Sequence, residues 1–149
     1  MWLKGEARFV GAAILLLVSF SMRARGDCSD TDVSNATSLT RQHVMARYDL
    51  VFTGKVIRAA PYSSETLFEV DRVWKGALHR HASFLIAAVA TQWAQAGHTY
   101  LMLLRQCRNC VGKQVIYEVD CSGGMDVENE DALNLLKQLG RAKPPLTSR

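Results

Sequence analysis

Two stretches decide the fold: Asp49–Arg58, DLVFTGKVIR, and Thr66–Trp74, TLFEVDRVW. Both are dense in β-branched and aromatic residues, the types that pack well on a pleated, half-buried surface. Gly54 stands in the middle of the first stretch, where a missing side chain predicts a bulge or a sharp bend. In the second, Phe68, Val70 and Trp74 fall on one face, interrupted by Arg72, with Glu69 and Asp71 on the other. Lys75-Gly76 ends that strand, and the Ala-Pro-Tyr-Ser-Ser run from Ala60 is turn chemistry joining the two.

Outward from this pair, the apolar run Phe84–Val89 predicts a more deeply buried strand, and Tyr100–Leu104, entered through Gly97-His98, predicts another. Val115, Tyr117, Val119 and Cys121 alternate with Ile116, Glu118 and Asp120, the pattern of a half-buried fifth strand. Helices flank the set. Thr37 or Ser38 is the expected cap of a short helix running through His43 to about Arg47. After Gly123-Gly124, Ala132, Leu133, Leu135, Leu136 and Leu139 recur at helical spacing behind an acidic start, and Gly140 with Pro144-Pro145 marks the stop. The expected architecture is mainly β: a five-stranded OB-like barrel with a short N-terminal helix and a C-terminal helix. Closure removes most exposed sheet edge. A two-sheet sandwich is the structural alternative.

The beginning of the chain addresses compartment. Lys4 and Arg8 precede the apolar stretch Phe9–Val18, and Ala24-Arg25-Gly26 offers a small-residue cleavage point before Asp27. This predicts a signal peptide over residues 1–26 and a secreted protein; a cut after Ser21 and an uncleaved anchor are the other readings. The apolar core is shorter than the ~17–25 residues a spanning helix needs, so no membrane span is expected after cleavage. One domain is expected over residues 27–140, with a flexible tail at 141–149. Four of the 18 Lys and Arg and one of the 14 Asp and Glu fall within residues 1–26, leaving 14 against 13 and a net charge of +1. Such a balance gives no electrostatic case for nucleic acid as a partner. Asn35-Ala36-Thr37 is a sequon, marking Asn35 as a glycosylation site.

Cys28, Cys107, Cys110 and Cys121 follow the signal. An even number in an oxidising route predicts disulfides, in one of three connectivities. The competing reading is a zinc site using Cys107-x-x-Cys110 with His79 and His81 upstream. No catalytic set emerges. His43, His79, His81 and His98 stand in separate contexts, and the Cys107-x-x-Cys110 pair lies between strands instead of at a helix start, where the dipole lowers a thiol pKa. Trp74 and Trp93 read as core and rim packing. The expectation is a protein that is not an enzyme, with no cofactor and no resident metal.

The order and spacing of Asp49–Val56, Phe68–Gly76, Gly97–Leu101, Cys121–Gly124 and a terminal helix ending Leu139-Gly140 resemble the netrin-like superfamily. That group includes the tissue inhibitors of metalloproteinases and the N-terminal domain of agrin, and the resemblance covers nearly all of the chain after the signal. It implies an OB-like barrel and extracellular binding without catalysis, the partner being a matrix component, a receptor or a metalloproteinase. It also implies that Cys28 pairs with Cys121, a closure worth roughly 4–5 kcal/mol in the chain-entropy model. Cys107 and Cys110 are then left for each other, for exchange, or for a partner chain. In the inhibitors the first residue is a cysteine whose α-amino group and carbonyl chelate the protease zinc; Cys28 inherits that role only as the mature N-terminus. A binding module is the leading expectation and a metalloproteinase inhibitor the second. An OB-fold binder of oligosaccharide or nucleic acid is the third, and it requires aromatic and basic residues on strands 2 and 3, where Arg72 and Trp74 stand.

Overall fold

The computed structural model describes residues 39–59, 65–88, 94–110, 112–119 and 124–147. The expected signal peptide, Cys28, Asn35, Trp93 and Cys121 lie outside these residues, as does the expected Cys28–Cys121 pair. Helix α1 (Arg41–Arg47) leads into strands β1 (Leu50–Arg58), β2 (Glu65–Lys75), β3 (His81–Ala88), β4 (Thr99–Gln106), β5 (Ile116–Val119) and β6 (Gly124–Asp126), and helix α2 (Glu130–Leu139) follows. The strands hydrogen-bond in the order β1-β2-β3-β5-β4, and β4 pairs back onto β1 to close the ring. All these pairings are antiparallel except β3 with β5. This is the expected OB-like barrel with a helix at each end.

The register explains why the alternation along β2 breaks. Asp71 and Trp74 are extra residues on β2: Thr53 and Gly54 oppose Arg72 and Val70, and Val51 and Phe52 oppose Lys75 and Val73. Each insertion reverses the inward–outward phase of the strand. Phe68, Val70 and Val73 therefore point into the barrel, and Trp74, expected on the same face as Phe68 and Val70, packs instead with the cluster outside it. Of the bulge or bend expected at Gly54, the bulge is found: the register shifts between Thr53 and Gly54, with the extra residue on the partner strand. A Cβ on Gly54 would stand 3.2 Å from the Glu69 carbonyl oxygen and 3.3 Å from the Phe52 ring, so glycine permits the close approach of β1 to β2.

Two hydrophobic cores result. Inside the barrel, the rings of Phe52, Phe68 and Phe84 stand 5.5–5.9 Å apart, and Tyr117 meets Phe84 edge-on at 5.5 Å. Val56, Val70, Val73, Met102, Leu104 and Val119 are among the residues that share that core. Outside, Val51, Leu101 and Leu103 project from β1 and β4 against Val44 and Tyr48 and against Leu135 and Leu139 of α2. Much of β1 and β4 is thus buried on both faces, which is why both read as near-continuous apolar runs.

The ends differ from expectation in detail. Thr40, not Thr37 or Ser38, caps α1, its side chain accepting from the His43 N–H at 3.3 Å. The fifth strand does not give way directly to helix at Gly123-Gly124: β6 resumes at Gly124 on the side of β4 that β5 occupies, pairing Met102 with Gly124 and Tyr100 with Asp126. Helix α2 begins after it, capped by the Asn129 side chain, with Glu130 and Asp131 in the first turn and Gly140 at φ 71° closing it. The Lys75 ammonium donates to the carbonyls of Met45 and Tyr48 at the end of α1, a position the helix dipole favours for a cation. No helix among the described residues is long and apolar enough to cross a membrane.

Candidate functional site

The two bulges in β2 do more than reset its phase. The first of them, at Asp71, turns Arg72 and Trp74 onto the barrel exterior, where the chain leaving α2 returns to meet them. Val73 and Lys143 exchange backbone hydrogen bonds at 2.9 and 2.7 Å, and the Leu146 N–H donates to the Leu78 carbonyl at 2.7 Å. Lys143 and Leu146, within the stretch where a flexible tail was expected, are thus hydrogen-bonded to β2 and the turn that follows it. The Trp74 indole N–H donates to the Gly140 carbonyl at 2.9 Å, which fixes the ring across the junction of β2 with α2.

Between β2 and this returning segment lies an open groove of about 470 Å³, lined by Asp71, Arg72, Trp74, Arg141 and Lys143 among others. Its volume lies in the range of small-ligand and peptide-anchor sites. Three cations face one carboxylate. Arg72 pairs with its neighbour Asp71 at 3.2 Å, but both side chains are about two-thirds exposed and such pairs contribute little. Arg141 and Lys143 are exposed and have no ion-pair partner among the described residues. A Cβ on Gly140 would lie 3.6 Å from Arg41 Nη1, so a fourth cation stands near the groove's end. A second groove on the barrel, of about 480 Å³, is balanced in charge: Lys55 and Arg80 against Glu69 and Asp71, with Arg80 donating to Glu69 at 2.9 Å. The positive character belongs to the Trp74 side alone.

The remaining sequence-predicted residues separate. Cys107 and Cys110 are joined to each other, so exchange and a partner chain give way to an internal bridge. The zinc set that added His79 and His81 is not assembled. Both thiols are used, His79 bridges to Leu146, and His81 opens β3 four residues before Leu85, which pairs with Ile116 beside the disulfide. Four residues of strand are about 13 Å. The residue found beside the sulfurs is Glu118, whose carboxylate also accepts from Arg105 at 3.0 Å. His98 Nδ1 meets Asp126 at 3.2 Å on the exposed rim, and neither contacts another of the candidate groups.

Burial, and secondarily the charge of Asp49, push the Tyr117 phenol above its ordinary value of 10.0. Asp49 is held at that end of the barrel by accepting from the Gln106 N–H at 2.8 Å. Sequence reading found Arg72 and Trp74 but missed Arg141 and Lys143, because no local pattern brings a segment 70 residues later against β2. No protein-family model matches the chain, and neither a curated protein nor a solved structure matches it.

Proposed function

We propose that this protein is a secreted, non-enzymatic binding module, and that the Trp74 groove is where it holds an acidic partner of the extracellular matrix or cell surface. The observation that carries the reading is convergence. Two segments far apart in sequence deliver Arg72, Arg141 and Lys143 to one open groove, with a hydrogen-bonded indole as its wall. Exposed cations draw in a carboxylate or sulfate and steer its approach, and among the described residues Arg141 and Lys143 have no ion pair to give up first. Trp and Arg are also the residues in which interface energy concentrates.

The test is retention of the secreted protein on surfaces coated with matrix proteins, wild type against the triple charge reversal Arg72→Glu, Arg141→Glu and Lys143→Glu. Retention by wild type that falls with added salt, and a loss on the order of tenfold or about 1.4 kcal/mol in the variant with unchanged circular dichroism, is expected. Equal retention of the two proteins sinks the reading.

A further inference from the structure

The Cys107–Cys110 bridge and Glu118 form a second cluster, remote from the Trp74 groove in composition and unused by it. Both sulfurs and a Glu118 carboxylate oxygen lie within 4.8 Å of one another, and all three residues are half-buried, so the cluster is reachable from solvent. We propose that reduction of this disulfide converts the β4–β5 loop into a binding site for one soft divalent cation of the zinc class, held by the two thiolates and the Glu118 carboxylate.

Three features support it. The x-x spacing between Cys107 and Cys110 is the spacing at which one loop presents two sulfurs to a tetrahedral cation. The third ligand is already positioned. The Cys107 N–H donates to the Ile116 carbonyl at 2.8 Å, and Glu118 pairs with Arg105 across the β4–β5 ladder, so the strands hold Cys107 beside Glu118 whether or not the sulfurs are bonded, and Cys110 follows three residues on. The Arg105 guanidinium, 3.0 Å from Glu118, also offsets the excess negative charge that two thiolates and a carboxylate leave around a dication. Three protein ligands leave one tetrahedral position for water.

The chemistry balances. The disulfide takes two electrons and two protons from a dithiol reductant, which departs as its own disulfide. Each resulting thiol then gives up its proton to solvent as a metal–sulfur bond forms. In the oxidised protein both sulfurs are committed to each other, so the site exists only in the reduced state.

Cadmium, whose thiolate complexes absorb in the near ultraviolet, tests this on the full secreted chain before and after treatment with a phosphine reductant. The expected result is a charge-transfer band saturating at one equivalent in the reduced protein only. Cys107→Ser with Cys110→Ser should abolish the band. Glu118→Gln should retain it while weakening binding ~10-fold or more. Mass spectrometry after alkylation should show zinc protecting Cys107 and Cys110 together. A band that survives the double serine variant places the metal on other thiols and overturns the proposal. So do equal affinities for Glu118→Gln and wild type, which mean a bare dithiol with no built third ligand, and equal binding by the oxidised protein.

Discussion

The two hydrophobic cores are made of similar residues but held in different ways. Inside the barrel, Phe52, Phe68 and Phe84 come from three consecutive strands, and a closed ring of backbone hydrogen bonds confines them. Outside, Val51, Leu101 and Leu103 are covered by helices of only seven and ten residues, too short to persist on propensity alone. Those helices stay because of what they touch: Lys75 at the end of α1, and the Trp74 indole at the Gly140 carbonyl. The inner core defines the fold. The outer one is an attachment, and the same attachment carries the returning segment that completes the cationic groove.

Three measurements test this contrast. Phe68→Ala removes a fully buried ring in contact with two others and should cost about 3–5 kcal/mol, with the whole protein unfolding in one transition at lower denaturant. Leu139→Ala, in the outer core, should cost about 3 kcal/mol. Its signature should differ in kind: hydrogen exchange should accelerate in α1 and α2 while amides of β1 to β4 keep their protection. Uniform acceleration would show that the two cores are one cooperative unit. The smallest effect concerns the rim of the inner core. The folded Tyr117 phenol sits above its ordinary value of 10.0, chiefly through burial, so the unfolded chain ionises first. Its contribution to stability is complete below pH 10 and is lost as pH rises through the higher folded value. Denaturation midpoints followed from pH 8 upward should therefore fall less for Tyr117→Phe than for wild type. Identical slopes would mean that the phenol is as well solvated in the fold as out of it.

The inner core was legible because inward residues recur with period two wherever no bulge intervenes, as at Phe52, Val56, Phe68 and Val70. The error at Trp74 has the same root. The insertion at Asp71 shifts the phase ahead of Trp74, and nothing in VDRVW announces which residue is extra. The continuous runs Leu50–Thr53 and Tyr100–Leu104 read only as strands, because an unbroken apolar run does not say what covers its second face. Strand β6 escaped notice because Gly-Gly reads as a break, whereas here it lies where the chain resumes pairing with β4. Of the candidate site, Arg72 and Trp74 were visible as a basic residue next to an aromatic. Arg141 and Lys143 looked like the charges of a solvated tail until Lys143 was seen paired with Val73.

The ring is shut by β1 and β4, with Leu50 opposite Leu104 and Lys55 opposite Thr99. During synthesis, β1 and β2 are therefore complete long before the strand that closes the barrel has been made. Until then Val51, Phe52 and Val56 belong to an open edge on a nascent hairpin, the kind of surface that recruits neighbouring chains. Lys55 and Arg58 are the only charges on that edge, the kind of residue that discourages such pairing. Replacing both with apolar residues should therefore lower the yield of soluble folded protein far more than it lowers the stability of the molecules that do fold.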